Sequence, residues 1–394
     1  MADKDGFNKI AEWLLKDEDI KVAVLSAGGK TQNCAKVTDL IYSAWSKIAN
    51  GESVTKSLQP FYARLKSDAS RLGLLNFIEE ELMTVEQEVE KDFSLDFLLS
   101  RGEYFYAKLF SAFSGLPFVD SKNLIGFYDD GKLNLGYSEF KIKDTYERVG
   151  RFVTGGFYGS YRNGKIKTFT RGGSDFSGAI ITKGLCGAEY LNFTDVDGVF
   201  SIDPKLAKGE IIKEMSFDTV RLLGEFGAGV LHPASVLPLY GSGAQIRLKN
   251  TFNKKAQGTL IKEDCLVTPF ATALKRGCCV VKGKDRESGY NAIRALGETG
   301  VKIIHSASSA DFFQACFFGE ENPFKNTVSS ILKGASFESG LSFFYLTKTK
   351  RAFEVYHRLK KHKILVFASD FENGIYLTVK EKDEKIVLQT LNEV

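Results

Sequence analysis

Two adjacent glycines join a strand-like run to a helix-like run in the segment Arg171-Gly172-Gly173-Ser174-Asp175. Because glycine carries no Cβ, the backbone of such a turn can come close to a ligand. The free N–H groups and the positive end of the following helix dipole favour an anion at this place. The segment therefore predicts an anion-binding turn, although a plain turn closed by Ser174 or Asp175 as the helix N-cap is the structural alternative.

Two other strand-like runs end in turns of a similar kind. Residues 21–25 lead into Ser26-Ala27-Gly28-Gly29, and residues 189–193 lead into Thr194-Asp195-Val196-Asp197. Ligands in open α/β sheets bind at the carboxyl ends of parallel strands, so we expect the three turns to share one edge of a sheet. Backbone N–H groups, hydroxyls and charged groups gathered in this way suit phosphoryl transfer, which depends on positioning and charge stabilisation and usually on Mg²⁺.

The periodicity of the apolar residues predicts the elements that would position these turns. Helical spacing is found at residues 5–19 and over almost all of residues 57–114. Between them, Thr38-Asp39 could cap a helix that continues through Leu40, Ile41 and Trp45. Within residues 57–114, Glu103 of Ser100-Arg101-Gly102-Glu103 is, from the residues alone, best interpreted as a surface carboxylate. Strand signals follow at residues 117–119, 124–127, 151–154 and 164–170. Strands that alternate with helices predict an open, mostly parallel sheet with helices on both faces.

Beyond Cys265 the pattern changes to two consecutive units of strand, helix, strand, strand and helix. Each unit spans roughly 55 residues, which is typical of the split βαβ arrangement. The helices are expected at residues 288–296, 326–332, 351–359 and 385–391. Because this stretch offers no constellation of carboxylates or histidines, we interpret it as a regulatory or dimerising region.

The composition limits the class of protein. The 394 residues are 43% hydrophobic, which is enough for more than one domain with its own core. A net charge of +4 without a block of lysines and arginines argues against a nucleic-acid partner. The sequence has no secretory signal and no apolar run long enough to cross a bilayer, and its six scattered cysteines suit a reducing compartment. We therefore expect a cytoplasmic protein that binds neither nucleic acid nor membrane.

Five motifs in one order connect these features to a known family. They are Thr-Arg-Gly-Gly-Ser-Asp (170–175), Thr-Asp-Val-Asp-Gly (194–198), Asp-Pro (203–204), Phe-Gly-Ala-Gly-Val-Leu-His-Pro (226–233), and Arg-Leu-Lys-Asn-Thr-Phe (247–252) followed by Gly-Thr-Leu-Ile (258–261). Together they closely resemble the aspartokinases of the amino-acid kinase superfamily. The resemblance implies a three-layer αβα catalytic domain at residues 1–262 and tandem ferredoxin-like ACT domains at residues 263–394.

The resemblance also implies an activity, the ATP-dependent phosphorylation of the side-chain carboxylate of L-aspartate to 4-phospho-L-aspartate. In this family the reaction opens the route to lysine, threonine and methionine. The expected ligands are L-aspartate, ATP and Mg²⁺, without a metal site made by protein side chains alone. The ACT domains imply an amino-acid effector, lysine or threonine, and a homodimer or higher homo-oligomer.

The matched motifs imply three groups of site residues. The catalytic group comprises Arg171, Ser174 and Asp175, and the amino-acid-binding group comprises Ser26, Thr38, Glu103, Phe157, Arg171 and Ser174. The ATP-binding group comprises Thr194, Asp195, Phe200 and Lys205. Arg171 would pair with the α-carboxylate of aspartate, Glu103 would receive its amino group, and Phe157 would close over it. Ser174 and Asp175 would lie beside the transferring phosphoryl group.

Structural interpretations compete with some of these roles. Thr38 is a good N-cap, Phe157 could belong to the core, and Asp195 could simply form a turn. The sequence also departs from the family in two places: aspartokinases open with a strand ending in Lys-Phe-Gly-Gly, which aligns just before Met1-Ala2-Asp3, and Gly229 occupies the place of a family lysine. We expect that the coding sequence begins further upstream.

Three functions stay open at this level. The first is a working aspartate kinase, and the second is a non-catalytic regulatory or amino-acid-sensing subunit that lacks the phosphate-binding lysine. The third is a kinase for acetylglutamate, glutamate or a nucleotide, against which the ACT-like tail and the Glu103 segment argue. The turn Asp285-Arg286-Glu287-Ser288-Gly289 only loosely resembles the family's effector-binding turn, so the effector is unassigned.

Overall fold

The computed structural model of the protein describes residues 4–31, 34–91, 93–170, 172–229, 231–283, 286–298, 301–309, 312–318, 336–371 and 374–394. The chain divides into two compact units. The first comprises Met1–Gly198 and Leu231–Asp264, and the second comprises Val199–Val230 and Cys265–Val394. The second unit therefore includes a segment from the middle of the chain, and the domain boundary after residue 262 stays a prediction.

The helices and strands of the described residues follow the predicted order closely. The α-helices are α1 (Lys4–Lys16), α2 (Val37–Ala49), α3 (Val54–Leu72), α4 (Leu75–Lys91), α5 (Leu95–Ser114), α6 (Leu135–Val149), α7 (Gly173–Gly184), α8 (Phe217–Glu225), α9 (Arg286–Glu298), α10 (Lys350–Lys361) and α11 (Glu384–Glu393). The strands are β1 (Val22–Leu25), β2 (Gly126–Phe127), β3 (Phe152–Gly155), β4 (Tyr158–Tyr161), β5 (Ile166–Thr168), β6 (Glu189–Thr194), β7 (Glu214–Ser216), β8 (Gln245–Asn250), β9 (Thr259–Lys262), β10 (Thr272–Gly283), β11 (Lys302–Ser309), β12 (Phe312–Phe318), β13 (Ser336–Thr347), β14 (Leu365–Phe371) and β15 (Gly374–Lys380). None of the described helices combines the length and the apolar character that crossing a membrane requires.

In the first unit, two of the three strands that lead into the predicted turns, β1 and β6, have parallel partners, whereas β5, which leads into the Arg171 turn, is antiparallel to β4. β1 pairs with β3 so that Leu25 lies opposite Gly155, and β6 pairs with β8 so that Thr194 lies opposite Asn250. β2 and β4 form another parallel pair, whereas β5 and β9 add antiparallel strands to β4 and β8. The predicted, mostly parallel pairing is confirmed, but among the described residues β1, β5 and β6 belong to three separate hydrogen-bonded sheets and not to the single sheet expected.

Helices cover both faces of β3. Successive side chains of a strand point to opposite sides, so Phe152 and Val153 show what packs on each face. Val153 belongs to a core cluster with side chains of α1, α2, α3, α4 and α5. Its neighbour Phe152 packs with side chains of α6 and α7 instead. Both residues are fully buried, which confirms a three-layer αβα arrangement in the first unit.

The helices that carry the site begin and end at identifiable signals. α5 begins after Ser94, whose hydroxyl accepts a hydrogen bond from the N–H of Phe97, and it ends at Gly115 in the left-handed conformation. α2 begins after Lys36, which is extended and makes no side-chain cap bond. The prediction that Thr38-Asp39 caps α2 is wrong, because both residues lie inside its first turn.

The second unit contains, among its described residues, an antiparallel sheet of six strands in the order β11-β12-β10-β13-β15-β14. β10 pairs with β12 on one side and with β13 on the other, so the two predicted units share one sheet. Val355 of α10 and Leu391 of α11 pack in one core with Leu377 of β15. The tandem arrangement is confirmed for these elements. The predicted helix at residues 326–332 lies outside the described residues, and the turn predicted at residues 285–289 is wrong for residues 286–289, which begin α9.

Candidate active site

The carboxyl end of β3 brings α5 and α7 together. A Cβ built on Gly155 would lie 3.1 Å from the carbonyl carbon of Glu103 in α5, and one built on Gly156 would lie 2.7 Å from Cα of Ser174 in α7. Position 156 therefore requires glycine, because any side chain would overlap the start of α7. The N–H of Gly156 donates to the carbonyl of Leu25 (2.9 Å), so the turn after β1 meets the same place. Glu103 and Ser174, predicted from distant segments, therefore both lie against the end of β3.

The N-terminal end of α7 lies at this junction. Gly172 has φ 71°, in the left-handed region, and it is so close to the side chain of His232 that a Cβ would overlap it. Gly172 is the N-cap and makes no side-chain cap bond, so the prediction that Ser174 or Asp175 caps the helix is wrong. Both residues lie in the first turn instead, at the positive end of the helix dipole. Arg171 lies outside the described residues, and its role stays a prediction.

Phe157 follows β3 in a strained conformation at the start of α7. Its φ is 77°, a value that bulky residues rarely adopt. Its N–H donates to Ser177 Oγ (2.9 Å), and that hydroxyl donates to the carbonyl of Gly173 (2.9 Å). The ring lies against Gly173 and is only partly buried. The ring also packs against the core cluster of the first unit, and because hydrogen bonds maintain a costly backbone conformation here, Phe157 stays a functional candidate as well.

Asp175 connects the first turn of α7 to β6. Its carboxylate accepts hydrogen bonds from the side-chain amide of Asn192 (3.0 Å) and from the backbone N–H of His232. Burial raises the pKa of Asp175 above its ordinary value, while these donors oppose the rise. Because Asn192 lies two residues before Thr194, this bond joins the start of α7 to the strand that ends in the Thr194 turn.

The turn after β6 is fixed by the last residue of β8 and by a residue in the segment that follows it. The side-chain amides of Asn250 and Asn253 both donate to Asp197 Oδ1, at 2.7 and 3.0 Å. Asp197 therefore stabilises the turn. Asp195 is exposed, and from the described residues its carboxylate accepts one long side-chain bond, from the hydroxyl of Thr194 (3.4 Å), so it stays accessible to a ligand.

Glu103 is a buried carboxylate, and its interpretation as a surface residue is wrong. It is 5% exposed, and burial raises its pKa to about 7. The backbone N–H of Ala27 donates to the carboxylate, and the nearby charge of Lys36 opposes the rise. Oε2 is buried and has no hydrogen-bond partner among the described residues. An unpaired buried carboxylate oxygen is costly, so this observation favours a ligand that carries hydrogen-bond donors or positive charge.

Thr38 on α2 also carries a buried oxygen atom, that of its hydroxyl, that lacks a hydrogen-bond partner within the described part of the chain. Val37, which precedes it, lies against Gly102 of α5, the neighbour of Glu103. Ser26 follows β1 directly and is exposed. Two buried oxygen atoms without a partner among the described residues thus lie on α5 and α2, and the end of β3 brings α5 close to the N-terminal end of α7.

Comparisons with known proteins agree with this geometry. The amino acid kinase family matches residues 1–250. Aspartokinase 3 of Bacillus subtilis is 30% identical over 333 residues, which cover 77% of this chain and 72% of that protein. The chain belongs to the aspartokinases of the amino acid kinase family. As a member of this family it is a kinase, and therefore a transferase.

Other aspartokinases resemble this one in sequence or in structure. Lysine-sensitive aspartokinase 3 of Escherichia coli is 28% identical over 300 residues, which cover 70% of this chain and 64% of that protein. The aspartate kinase of Clostridium acetobutylicum superposes with a TM-score of 0.90 at 25% identity, over 99% of this chain and 96% of that chain. Aspartokinase III of E. coli in complex with aspartate and ADP has a TM-score of 0.78 at 21% identity with the same coverage, which shows a shared fold.

Two residues predicted to bind the nucleotide in this aspartokinase lie in the second compact unit. Phe200 forms a backbone bridge with Ile211. The N–H of Lys205 donates to Asp203 Oδ1 (2.9 Å), which folds the Asp-Pro-Lys segment into a turn, and the lysine side chain is exposed. Their contribution to the nucleotide site stays a prediction.

Sequence reasoning missed residues that hold the site of this aspartokinase together. Asn192 fixes Asp175, and Ser177 holds the backbone of Phe157. A signal for Asn192 was present, because it is a polar residue in a run that predicts a buried strand. Ser177 gave no such signal, since serine is common near the start of helices.

Proposed function

We propose that this protein phosphorylates the side-chain carboxylate of L-aspartate with ATP and produces 4-phospho-L-aspartate and ADP. Its family and its similarity to aspartate kinases support this activity. The observation that carries the proposal is the pair of buried oxygen atoms, Glu103 Oε2 and the Thr38 hydroxyl oxygen, that lack a hydrogen-bond partner among the described residues. A carboxylate, a hydroxyl and the N-terminal end of α7 together match an amino acid that carries one ammonium and two carboxylates.

Glu103 would bind the amino group of the substrate. In its ionised form, Oε2 would accept a charge-assisted hydrogen bond from the ammonium, which supplies the missing partner. We propose that Arg171 pairs with the α-carboxylate and that Ser26 and Thr38 line the pocket. The reacting carboxylate is already ionised at neutral pH. Its oxygen attacks the γ-phosphorus without a general base, and the bond from phosphorus to the β–γ bridging oxygen breaks to release ADP.

The start of α7 suits the charge that passes between the substrates. Its unpaired N–H groups and its dipole favour an anionic phosphoryl group, to which Ser174 would donate from its hydroxyl. Asp175 acts as a positioning residue in this proposal, because its carboxylate is already engaged by Asn192 and His232. It fixes the first turn of the helix, while Phe157 closes over the substrate.

ATP would bind along the turn after β6, through Thr194 and Asp195, with Phe200 and Lys205 as further contacts. Mg²⁺ prefers oxygen ligands and is usually held by substrate phosphates, water and one or two carboxylates. The exposed carboxylate of Asp195 fits such a site, because it can occupy one ligand position on an ion carried by the nucleotide. When bound, the ion would neutralise charge on the phosphates.

We extend the proposal to the pathway and its regulation. The product would lead to lysine, threonine and methionine in the cytoplasm. Residues 263–394 would form tandem ACT domains of a homodimer or larger homo-oligomer, and these domains would bind lysine or threonine. The similarity to the lysine-sensitive aspartokinase 3 of E. coli supports lysine as the first effector to test.

A hydroxamate assay tests the activity. Acyl phosphates react with hydroxylamine, so we expect a hydroxamate whose formation requires both ATP and aspartate and is matched by release of ADP. Glutamate and acetylglutamate serve as competing acceptors, and Glu103→Gln serves as the variant that lacks the ammonium partner. Activity with glutamate or acetylglutamate but not with aspartate, or activity with none of the three, contradicts the proposal.

A further inference from the structure

A buried ionic cluster lies behind the turn that follows β1. It consists of Arg64 and Asp68 on α3 and Tyr106 on α5, and all three side chains are buried. Arg64 Nε donates to Asp68 Oδ2 (2.7 Å), and the hydroxyl of Tyr106 donates to the same oxygen. Because the desolvation of two charges offsets much of their attraction, a buried ion pair is weak evidence for a role in stability alone.

The other nitrogen atoms of Arg64 bind the backbone of that turn, here named the β1 loop (residues 26–31 and 34–36). Nη1 donates to the carbonyl of Ala35 (2.9 Å), and Nη2 donates to the carbonyl of Gly29 (3.1 Å). One rigid guanidinium thus fixes both the outgoing and the returning side of the loop. A lysine cannot replace it, because an ammonium is a compact charge on a flexible stem and lacks the fixed fork of donors.

Tyr106 supports the β1 loop from α5. Burial and the neighbouring Asp68 carboxylate raise the pKa of Tyr106, so its hydroxyl stays protonated and acts as a donor. The hydroxyl lies so close to Gly28 that a Cβ at that position would overlap it. Tyr106 is three residues after Glu103 on α5. Asp68, which accepts from both Arg64 and Tyr106, therefore couples the loop to the helix that carries Glu103.

Two hydrogen bonds connect the β1 loop to Glu103 and to the residue that precedes Thr38. The N–H of Ala27 donates to the carboxylate of Glu103. The carbonyl of Gly28 accepts from the N–H of Val37 (3.0 Å), at the start of α2 and directly before Thr38. A displacement of the loop would therefore move both Glu103 and Thr38 relative to a bound amino acid.

We propose that Arg64, Asp68 and Tyr106 are positioning residues that set the affinity for the amino-acid substrate by fixing the β1 loop. This inference rests on the proposed function, because the affected ligand is the acceptor of the phosphoryl group. The hydrogen bonds of the cluster go to α3, α5 and the β1 loop, whereas the proposed nucleotide turn follows β6. The KM for the amino acid should therefore change much more than the KM for ATP.

Arg64→Lys tests the proposal against a matched control, Arg151→Lys. Arg151 also donates to backbone carbonyls, those of Leu14, Asp17 and Ile20, but near the start of β1 rather than at its carboxyl end. We expect Arg64→Lys to raise the KM for aspartate about tenfold, with the KM for ATP changed less than about twofold, because small misplacements of binding groups weaken one substrate selectively. Arg151→Lys should lower the melting temperature to a similar degree and leave both KM values within about twofold of the wild type. Equal KM values for aspartate in the two variants overturn the proposal.

Amide hydrogen exchange provides a readout that does not depend on catalysis. Peptides that cover residues 26–37 should exchange faster in Arg64→Lys than in wild type or Arg151→Lys, since the bonds from Thr31 N–H to Cys34 and from Val37 N–H to Gly28 would open more often. If the wild-type protein phosphorylates no acceptor, the proposed function fails, and the exchange experiment alone decides whether the cluster fixes the loop. Unchanged exchange overturns the inference in either case.

Tyr106→Phe keeps the ring and removes only the hydroxyl, so it serves where Arg64→Lys does not fold. We expect a threefold to fivefold rise in the KM for aspartate, smaller than in Arg64→Lys because the bonds from Arg64 to the β1 loop are kept. A KM for aspartate equal to that of the wild type in this variant also overturns the proposal.

Discussion

The two compact units each contain a buried glutamate, and the surroundings of these two residues differ. Glu103 of α5 is 5% exposed and Glu384 of α11 is 9% exposed. Glu384 accepts hydrogen bonds from Arg276 Nε (2.9 Å) and from the hydroxyl of Ser342 (2.8 Å). Although burial alone would raise the pKa of Glu384, these donors lower it. Burial dominates at Glu103, where it raises the pKa to about 7.

Burial by itself therefore does not distinguish a structural carboxylate from a functional one. The donors around Glu384 stabilise its charge and complete its hydrogen bonds, so nothing further is required of a ligand. Glu103 has the N–H of Ala27 and an unpaired oxygen, a state in which a bound ammonium would remove the desolvation penalty. We therefore expect Glu103 to determine the affinity for the acceptor substrate and Glu384 to contribute to the stability of the second unit.

The largest expected effect is on substrate affinity. Glu103→Gln should lower kcat/KM for aspartate by about 10²-fold or more, mainly through KM, because a neutral amide loses the charge-assisted bond to the ammonium. Glu384→Gln should leave kcat/KM within about twofold of the wild type. Steady-state kinetics with the hydroxamate assay measures both. An unchanged KM in Glu103→Gln would remove the distinction between the two glutamates.

The pH dependence sharpens the comparison further. Substrate binding needs ionised Glu103, so kcat/KM for aspartate should fall about tenfold per pH unit below the pKa of about 7 and level off above it. Glu103→Gln should lack this acidic limb, whereas Glu384→Gln should keep it. A wild-type profile that is flat from pH 5 to 8 would contradict the assignment.

The contribution of Glu103 to the free energy of unfolding should fall as the pH rises, whereas kcat/KM for aspartate should increase. A carboxylic acid whose pKa rises on folding from 4.5 to about 7 contributes its full stabilisation below pH 4.5, and this contribution is lost as the pH increases to about 7. Glu103→Gln should therefore unfold at a higher urea concentration than the wild type at pH 8. Glu384→Gln should lose about 1–2 kcal/mol, because it breaks a pair whose arginine is 56% exposed. If Glu103→Gln is less stable than Glu384→Gln at pH 8, burial of the Glu103 carboxylate does not destabilise the folded protein as we expect.

The smallest expected effects concern two hydroxyl groups, that of Thr38 in the first unit and that of Ser342 in the second. Thr38→Val removes an unpaired buried hydroxyl, so the free energy of unfolding should stay the same or rise slightly, while the KM for aspartate rises about threefold to fivefold. Ser342→Ala removes a donor to Glu384 and should cost about 1 kcal/mol without a change in KM. Urea denaturation and steady-state kinetics on both variants check this pair. A loss of stability in Thr38→Val would show that its hydroxyl has a structural partner.

Much of the fold could be predicted from local signals. Apolar runs followed by glycine turns predicted β1, β6 and their parallel setting, and the strand and helix spacing after Cys265 predicted the six strands of the second unit. These features depend on periodicity and turn residues, which are properties of neighbouring positions in the chain.

The details of the site depended on packing that local signals do not contain. The cap of α7 is Gly172 because His232, distant in sequence, closes against it, which Ser174 and Asp175 could not indicate. Glu103 seemed exposed because a polar residue in a helix usually faces water, but α5 is buried on nearly all sides. The bonds from Arg64 to the β1 loop span 29 and 35 residues, beyond the reach of any periodic pattern.

The long shared strands of the second unit also constrain how it can deform. Because β10 is hydrogen-bonded to β12 and β13 at once, the twist of one half of the sheet is transmitted to the other through this strand. A small molecule that flattened or twisted one half of the sheet would therefore strain the hydrogen bonds of the other half. We expect the two halves to unfold in a single calorimetric transition and not in two independent ones.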